Sequence, residues 1–198
     1  MPAFLIHDPR CVFIHNPKTG GQALRSILLK QPHEGPKMGR LPQEWTQHFT
    51  FAFVRNPFDR LISAWKMFSD GIEDTGWKVP LDLEPGMSLK AFLEIVTDES
   101  IDIGSHERAG RTRVRNHTLP QTHEYYSIDQ ANFVGRFESF NEDVNKLFLR
   151  LQLNADLPSP KHVTKRGPYQ QYFDTETLAV ATEYYSQDLQ TFGYQFES

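Results

Sequence analysis

A single cysteine, Cys11, stands among 198 residues, so no disulfide can close within the chain. Its place in an apolar run marks a buried structural thiol rather than a nucleophile. Long hydrophobic runs are also missing, and nothing approaches the roughly 18 consecutive apolar residues of a membrane span. The opening stretch Met1-Pro2-Ala3-Phe4-Leu5-Ile6-His7-Asp8 lacks the basic flank and long apolar core of a secretory signal. The expectation is a soluble, cytoplasmic protein. Positive charge is not in excess either: 21 Lys and Arg face 25 Asp and Glu, for a formal net charge of -4. That excludes indiscriminate nucleic-acid binding as the main role and confines any anion recognition to a local cluster. There is no internal repeat and no low-complexity tract. The hydrophobic share of 38% and aromatic share of 13% suit one globular domain over residues 1–198.

The most informative stretch is Cys11-Val12-Phe13-Ile14-His15-Asn16-Pro17-Lys18-Thr19-Gly20-Gly21-Gln22-Ala23-Leu24. An apolar run of strand type stops at Asn16-Pro17, a lysine, a threonine and two glycines follow, and an amphipathic segment then begins. This is the layout of a phosphate-binding loop, in which glycines let backbone N–H groups approach an anion, a helix N-terminus adds partial positive charge and a lysine adds a full one. The order differs from that of a nucleotide triphosphatase, whose Lys-Ser/Thr follows the second glycine. Here Lys18-Thr19 precedes Gly20-Gly21, which argues against ATP as the anion.

Hydrophobic periodicity predicts a first strand at about Cys11 to His15 and a helix from about Gly20 to Leu29, with Ala23, Leu24, Ile27 and Leu28 on its buried face. Residues 31–48, rich in Pro and Gly, read as a loop that ends at a strand from Phe49 to Arg55. Asn56-Pro57-Phe58-Asp59 then reads as a helix start, with Asn56 as N-cap and Pro57 at the first helical position, and Phe58, Leu61, Ile62, Trp65 and Phe68 share one face. After a loop at 70–86 come a short helix at about Ser88 to Thr97 and a polar stretch from Asp98 to Asp129. A strand at Asn132 to Phe137, a helix at about Asn141 to Gln152 and a last helix at about Asp174 to Leu189 complete the chain. Strands and helices alternating at this length predict an α/β fold built on a parallel sheet.

In such a sheet ligands gather beyond the carboxyl ends of the strands, so Arg55 should face the same crevice as Lys18. Ser63 lies about two helical turns further on, within reach of an anion held by Arg55. A triphosphatase would carry an acidic metal ligand on a neighbouring strand, whereas this strand ends in arginine.

Pro17-Lys18-Thr19-Gly20-Gly21 followed by Val54-Arg55-Asn56-Pro57 with Arg60 and Ser63 resembles the carbohydrate-type sulfotransferases of family 2, which use 3'-phosphoadenosine 5'-phosphosulfate (PAPS). The resemblance continues in Phe133-Val134-Gly135-Arg136-Phe137-Glu138, in Thr164-Lys165-Arg166-Gly167-Pro168-Tyr169 and in Tyr184-Tyr185 with Asp188 to Tyr194, nearly the whole length. It departs at Gln22-Ala23, where relatives often carry small hydroxyl residues. The resemblance implies a three-layer α/β sandwich with a central parallel sheet, like that of P-loop NTPases. It also implies sulfuryl transfer from PAPS to a hydroxyl or amine of a carbohydrate-like or small-molecule acceptor, with adenosine 3',5'-bisphosphate (PAP) as product and no metal.

On this resemblance Pro17, Lys18, Thr19, Gly20, Gly21 and Gln22 would hold the 5'-phosphosulfate, with Lys18 stabilising the charge that develops in transfer. Arg55 and Ser63 would hold the 3'-phosphate, and Lys165 and Arg166 would belong to a late loop over the nucleotide. His33 is the first candidate for the base that takes the acceptor proton, with Glu34, His48 and His117 as alternatives. A nucleotide kinase and a sulfotransferase-like module without catalysis remain the competing readings. Arg60 suits a structural ion pair as well as a ligand contact. Arg108, Arg111, Arg113 and Arg115 read as a solvated loop before an acidic-sugar site. His15 and His123 read as structural, and Trp65, Phe68, Phe133, Phe137, Tyr184, Tyr185 and Tyr194 as packing residues.

Overall fold

The computed structural model describes residues 3–71, 78–104, 109–156 and 166–197. Among these, the strands are β1 (Ala3–His7), β2 (Arg10–Ile14), β3 (His33–Lys37), β4 (Thr50–Val54) and β5 (Phe133–Arg136). The helices are α1 (Gly21–Leu28), α2 (Pro57–Asp70), α3 (Leu89–Thr97), α4 (Gly110–Thr118), α5 (Phe140–Leu151), α6 (Thr175–Tyr184) and α7 (Ser186–Phe192). They fall into two compact units, one of Met1–Arg55 with Gln121–Lys161 and the other of Asn56–Pro120 with His162–Ser198.

The first unit is built on one sheet in the order β3-β1-β2-β4-β5. Its centre is parallel as expected, β2 with β4 and β4 with β5, while β1 pairs antiparallel with β2 and β3 pairs antiparallel with β1. The sheet is therefore mixed. The two antiparallel strands escape sequence reading for different reasons. Ala3-Phe4-Leu5-Ile6 is a short apolar run without alternation, and His33-Glu34-Gly35-Pro36-Lys37 has no strand pattern at all. Every residue of β3 is exposed, and Pro36 sits where proline is tolerated, on an edge strand.

One face of the sheet presents Phe4, Ile6, Cys11, Phe13, Phe51 and Phe53, packed with Leu24 and Leu28 of α1 and Val144, Leu147, Phe148 and Leu151 of α5. Leu5, Val12, Ile14, Ala52 and Val54, on the opposite face, are buried as well. Burial on both faces is why these strands read as unbroken apolar runs. Cys11 is fully buried, and that burial pushes its thiol up to about 12, which keeps it an inert neutral side chain.

In the second unit α2 begins as the sequence reads, with the Asn56 side chain accepting from Phe58 N–H and Pro57 at the first helical position. Phe58, Leu61, Ile62 and Phe68 enter a cluster with Phe92, Leu93 and Val96 of α3, Val114 of α4, and Tyr169, Ala181 and Tyr185. The polar stretch at 98–129 contains α4, whose polar character hid it. Its N-terminus is held by Asp82, which accepts from Gly110 N–H at 2.8 Å and Arg111 N–H at 3.2 Å. The predicted last helix is two, parted at Tyr185 (φ -100°, ψ 13°). Tyr185 is wholly buried and its hydroxyl donates to Thr118 O at 2.7 Å, a tertiary bond that fixes where the chain turns. No helix among the described residues is long and apolar enough to cross a membrane.

Candidate functional site

Pairing between β2 and β4 ends at Ile14 opposite Ala52, and there the two strands part. The chain leaves the sheet through Asn16 and Pro17, turns at Lys18 and enters α1 at Gly21. Lys18 adopts φ 66°, a left-handed conformation uncommon for a residue with a Cβ, and Gly20 adopts φ 82°. This turn is held where the Thr19 hydroxyl donates to Asn16 O at 2.9 Å and where Arg55 Nη1 donates to Lys18 O at 2.9 Å. The glycines are required by contact as well. A Cβ on Gly20 would lie 2.6 Å from the Phe140 ring, and one on Gly21 would lie 2.1 Å from the ring of His15.

The N-terminus of α1 has no side-chain cap and no acidic residue in its first turn. Its backbone donors and partial positive charge are thus not neutralised from within the helix. Arg55 adds a full charge. It is 7% exposed, its guanidinium lies 4.0 Å from the centre of the Phe137 ring, and it reaches the carbonyl of Lys18 itself. The Arg55 guanidinium and an uncapped helix start therefore meet at one turn of backbone, an arrangement suited to holding an anion. The described residues contain no group of three His, Cys, Asp or Glu arranged to hold a metal ion.

Pro17, Lys18, Thr19, Gly20, Gly21, Gln22 and Arg55 are thus brought together in the first unit, with Pro17 and Thr19 buried and Gln22 exposed on α1. Thr19 spends its hydroxyl proton on Asn16 O, so in this arrangement its side chain shapes the loop. Ser63 is buried on α2 of the second unit. Arg166, also in that unit, forms an ion pair with the Asp59 carboxylate. Lys165, Lys161 and Arg108 lie outside the described residues.

Of the candidate bases, His33, Glu34 and His48 belong to the first unit and His117 to the second. His33 pairs with Ile6, and Ile6 in turn pairs with Cys11, so His33 is level with the start of β2. Ile14 lies three residue steps beyond Cys11, about 10 Å along a strand, and β3 is two strands across from β2. His33 therefore lies on the exposed edge of the sheet, toward the amino end of β2. Its imidazole Nδ1 is 2.9 Å from Gln31 O, and its ring packs edge-on to Phe4. Glu34 is its neighbour on β3 and pairs with His7. His48 precedes Thr50, which is level with Val12, again toward the amino end. His117 lies on α4 in the second unit, with Nδ1 2.8 Å from Arg113 O and its ring against Phe68.

Several residues resolve into structural roles. Arg60, with 1% exposure, donates to Leu119 O at 2.9 Å and His117 O at 3.0 Å, stabilising the carbonyl end of α4. Arg115 is buried and donates to Val96 O and the Tyr184 hydroxyl, while Arg111 makes an exposed pair with Asp98. The expected solvated arginine loop is a helix at Arg111, Arg113 and Arg115. His15 packs against Gly21, so this structural histidine shapes the loop. Sequence reading passed over Asn16 as a ligand of the sheet, took Phe137 for core and missed Gln121 altogether. Gln121 accepts from Asn16 Nδ2 and Arg55 N–H and donates to Arg55 O. Its only local signal is its position after Pro120, which says nothing of partners 66 and 105 residues away.

A family model described as "Sulfotransferase family" matches residues 25–195, a span that runs through both units. The match begins just after the Lys18 loop. No curated protein and no solved structure matches the chain.

Proposed function

We propose a donor and a reaction from one premise: this chain belongs to the sulfotransferase family. The donor is PAPS, and both units act as one sulfotransferase domain, a reading supported by the single family match across them. The observation that carries the assignment is the bond from Arg55 Nη1 to Lys18 O, which brings a guanidinium to the turn at the uncapped start of α1. A triphosphate loop would instead keep its lysine after the glycines.

The donor supplies a sulfuryl group on a 5'-phosphate leaving group. The S–O bond to that phosphate breaks as the acceptor oxygen or nitrogen bonds to sulfur, and the acceptor proton passes to a base or to water. Lys18 would neutralise charge on the bridging and equatorial oxygens, where a fixed cation contributes most. Backbone N–H groups at Gly20, Gly21 and Gln22 would orient the phosphosulfate, and Arg55 with Ser63 would hold the 3'-phosphate. Pro17 and Thr19 would keep the turn in shape, and Lys165 and Arg166 would cover the nucleotide. The acceptor is a hydroxyl or amine of a carbohydrate-like or other small molecule. None of these steps draws on His33.

Equilibrium binding tests the donor. Adenosine 3',5'-bisphosphate should bind without added metal and compete with PAPS, while ATP with Mg²⁺ should bind far more weakly. Tight Mg²⁺-ATP binding with no affinity for the bisphosphate would overturn the reading in favour of a nucleotide kinase. Bisphosphate binding without sulfate transfer to a broad acceptor panel would identify a module without catalysis.

A further inference from the structure

Where β2 leaves the sheet, β4 loses its neighbour two residues before its own functional arginine. Ile14 opposite Ala52 is the last backbone pair between them. Beyond it, alternate residues of β4 turn their N–H and C=O groups to opposite sides. Val54 faces β5, where its carbonyl accepts from Phe137 N–H at 2.8 Å. Phe53 and Arg55 face the side that β2 has vacated, and two carboxamides occupy it. Asn16 Nδ2 donates to Phe53 O at 3.1 Å, Gln121 Oε1 accepts from Arg55 N–H at 3.0 Å, and Gln121 Nε2 donates to Arg55 O at 2.8 Å. The two side chains are also joined, Asn16 Nδ2 donating to Gln121 Oε1 at 2.9 Å.

We propose that Gln121 is the positioning residue of the anion site, its carboxamide replacing the missing strand so that Arg55 and the Lys18 loop stay in fixed register. The proposal rests on the sulfotransferase reading above and adds a residue to it. Three features carry it. The amide meets both the N–H and the C=O of Arg55, as a peptide unit of a neighbouring strand would. The same oxygen holds Asn16, whose backbone carbonyl anchors Thr19 in the turn. Gln121 is also completely buried, so water does not compete for these bonds.

The chemistry leaves little latitude. An amide N–H of the main chain can only donate and a carbonyl can only accept, so the partners at Arg55 fix which end of Gln121 is oxygen. Glutamate lacks the donor that Arg55 O requires, and asparagine is one methylene too short to span both groups. Gln121 touches no substrate in this scheme. It acts through Arg55, whose side chain then reaches Lys18 O.

A double-mutant cycle tests this with adenosine 3',5'-bisphosphate as probe, read by calorimetry beside thermal midpoints for all four proteins. Gln121→Met, which keeps volume but removes the bonds to Asn16 and Arg55, should weaken binding about tenfold or more when Arg55 is present and less than about threefold in an Arg55→Ala background. The drop in thermal midpoint should be the same in both backgrounds, because Arg55→Ala leaves the backbone groups that Gln121 holds. Equal losses of affinity in the two backgrounds would show a merely structural glutamine and overturn the proposal. If Gln121→Met does not fold, Gln121→Asn takes its place in the same cycle with the same criteria. Failure of the unmodified protein to bind the bisphosphate would overturn the donor assignment and this proposal together, whereas normal binding with an additive cycle would overturn this one alone.

Discussion

The Arg55 guanidinium meets the Lys18 residue at its backbone carbonyl, yet removing each side chain should fail differently. Lys18→Ala should lower the transfer rate by about 100- to 1,000-fold, the cost of losing one preorganised charge at the reacting oxygens. Bisphosphate affinity, measured by calorimetry, should fall far less because that ligand lacks the sulfuryl group. Arg55→Ala should weaken bisphosphate binding roughly 10- to 100-fold, as expected for a charge-assisted hydrogen bond lost from a buried site. His33→Ala should leave the transfer rate within about twofold of the parent, since an exposed edge residue distant from the reacting atoms contributes no transition-state contact. A large loss of rate there would restore His33 as the base. These residues were unequally legible. Lys18, Gly20 and Gly21 announce themselves because a loop motif is local in sequence, and Arg55 because it ends an apolar run. The position of His33 was not legible, since it depends on which strand its segment joins and in what register.

Among the elements, β5 and α5 are tied by one carboxylate. Asp143 accepts from Arg136 N–H at 2.9 Å, from the Ser139 hydroxyl at 2.8 Å and from Lys146 at 2.8 Å. Burial pushes its carboxyl upward, but the bonds from Lys146, Arg136 and Ser139 outweigh burial and hold it below the usual aspartate value. A lowered folded-state pKa means that the stabilisation is complete above the unfolded value and is lost as pH falls through the folded one. Asp143→Asn should therefore cost roughly 1–2 kcal/mol at pH 7 by urea denaturation. The gap from the parent should hold down to about pH 5 and close progressively below about pH 4. A gap that stays constant to pH 2 would show that charge has no part in the bond. The helix itself was legible from Val144, Leu147, Phe148 and Leu151, which all enter the core. α4 was not, because its buried face carries Thr112, Arg115, Asn116 and Thr118, whose partners are remote rather than periodic.

For the molecule as a whole, a ligand that binds only the folded chain raises its stability by mass action. The bisphosphate at a hundred times its dissociation constant should contribute about 2.7 kcal/mol, which for a chain of this size moves the thermal midpoint by roughly 5–10 °C. Mg²⁺-ATP at the same concentration should move it by less than about 1 °C. The reverse order would remove PAPS as the donor. The two cores, one on the sheet with α1 and α5 and the other around α2, α3 and α4, are each dense in the aromatic residues that the composition advertised. The sequence by itself determined the α/β class, the parallel centre of the sheet, the loop at Lys18 and the arginine after β4, because apolar periodicity, glycine conformation and end-of-strand position are encoded within a few neighbouring residues. Only the tertiary structure decided that β1 and β3 extend the sheet antiparallel, that His33 lies at its far edge, and that Gln121 completes the backbone of Arg55. Those outcomes depend on strand register and on a buried amide finding partners 66 and 105 residues away, and long-range pairing leaves no local pattern to read.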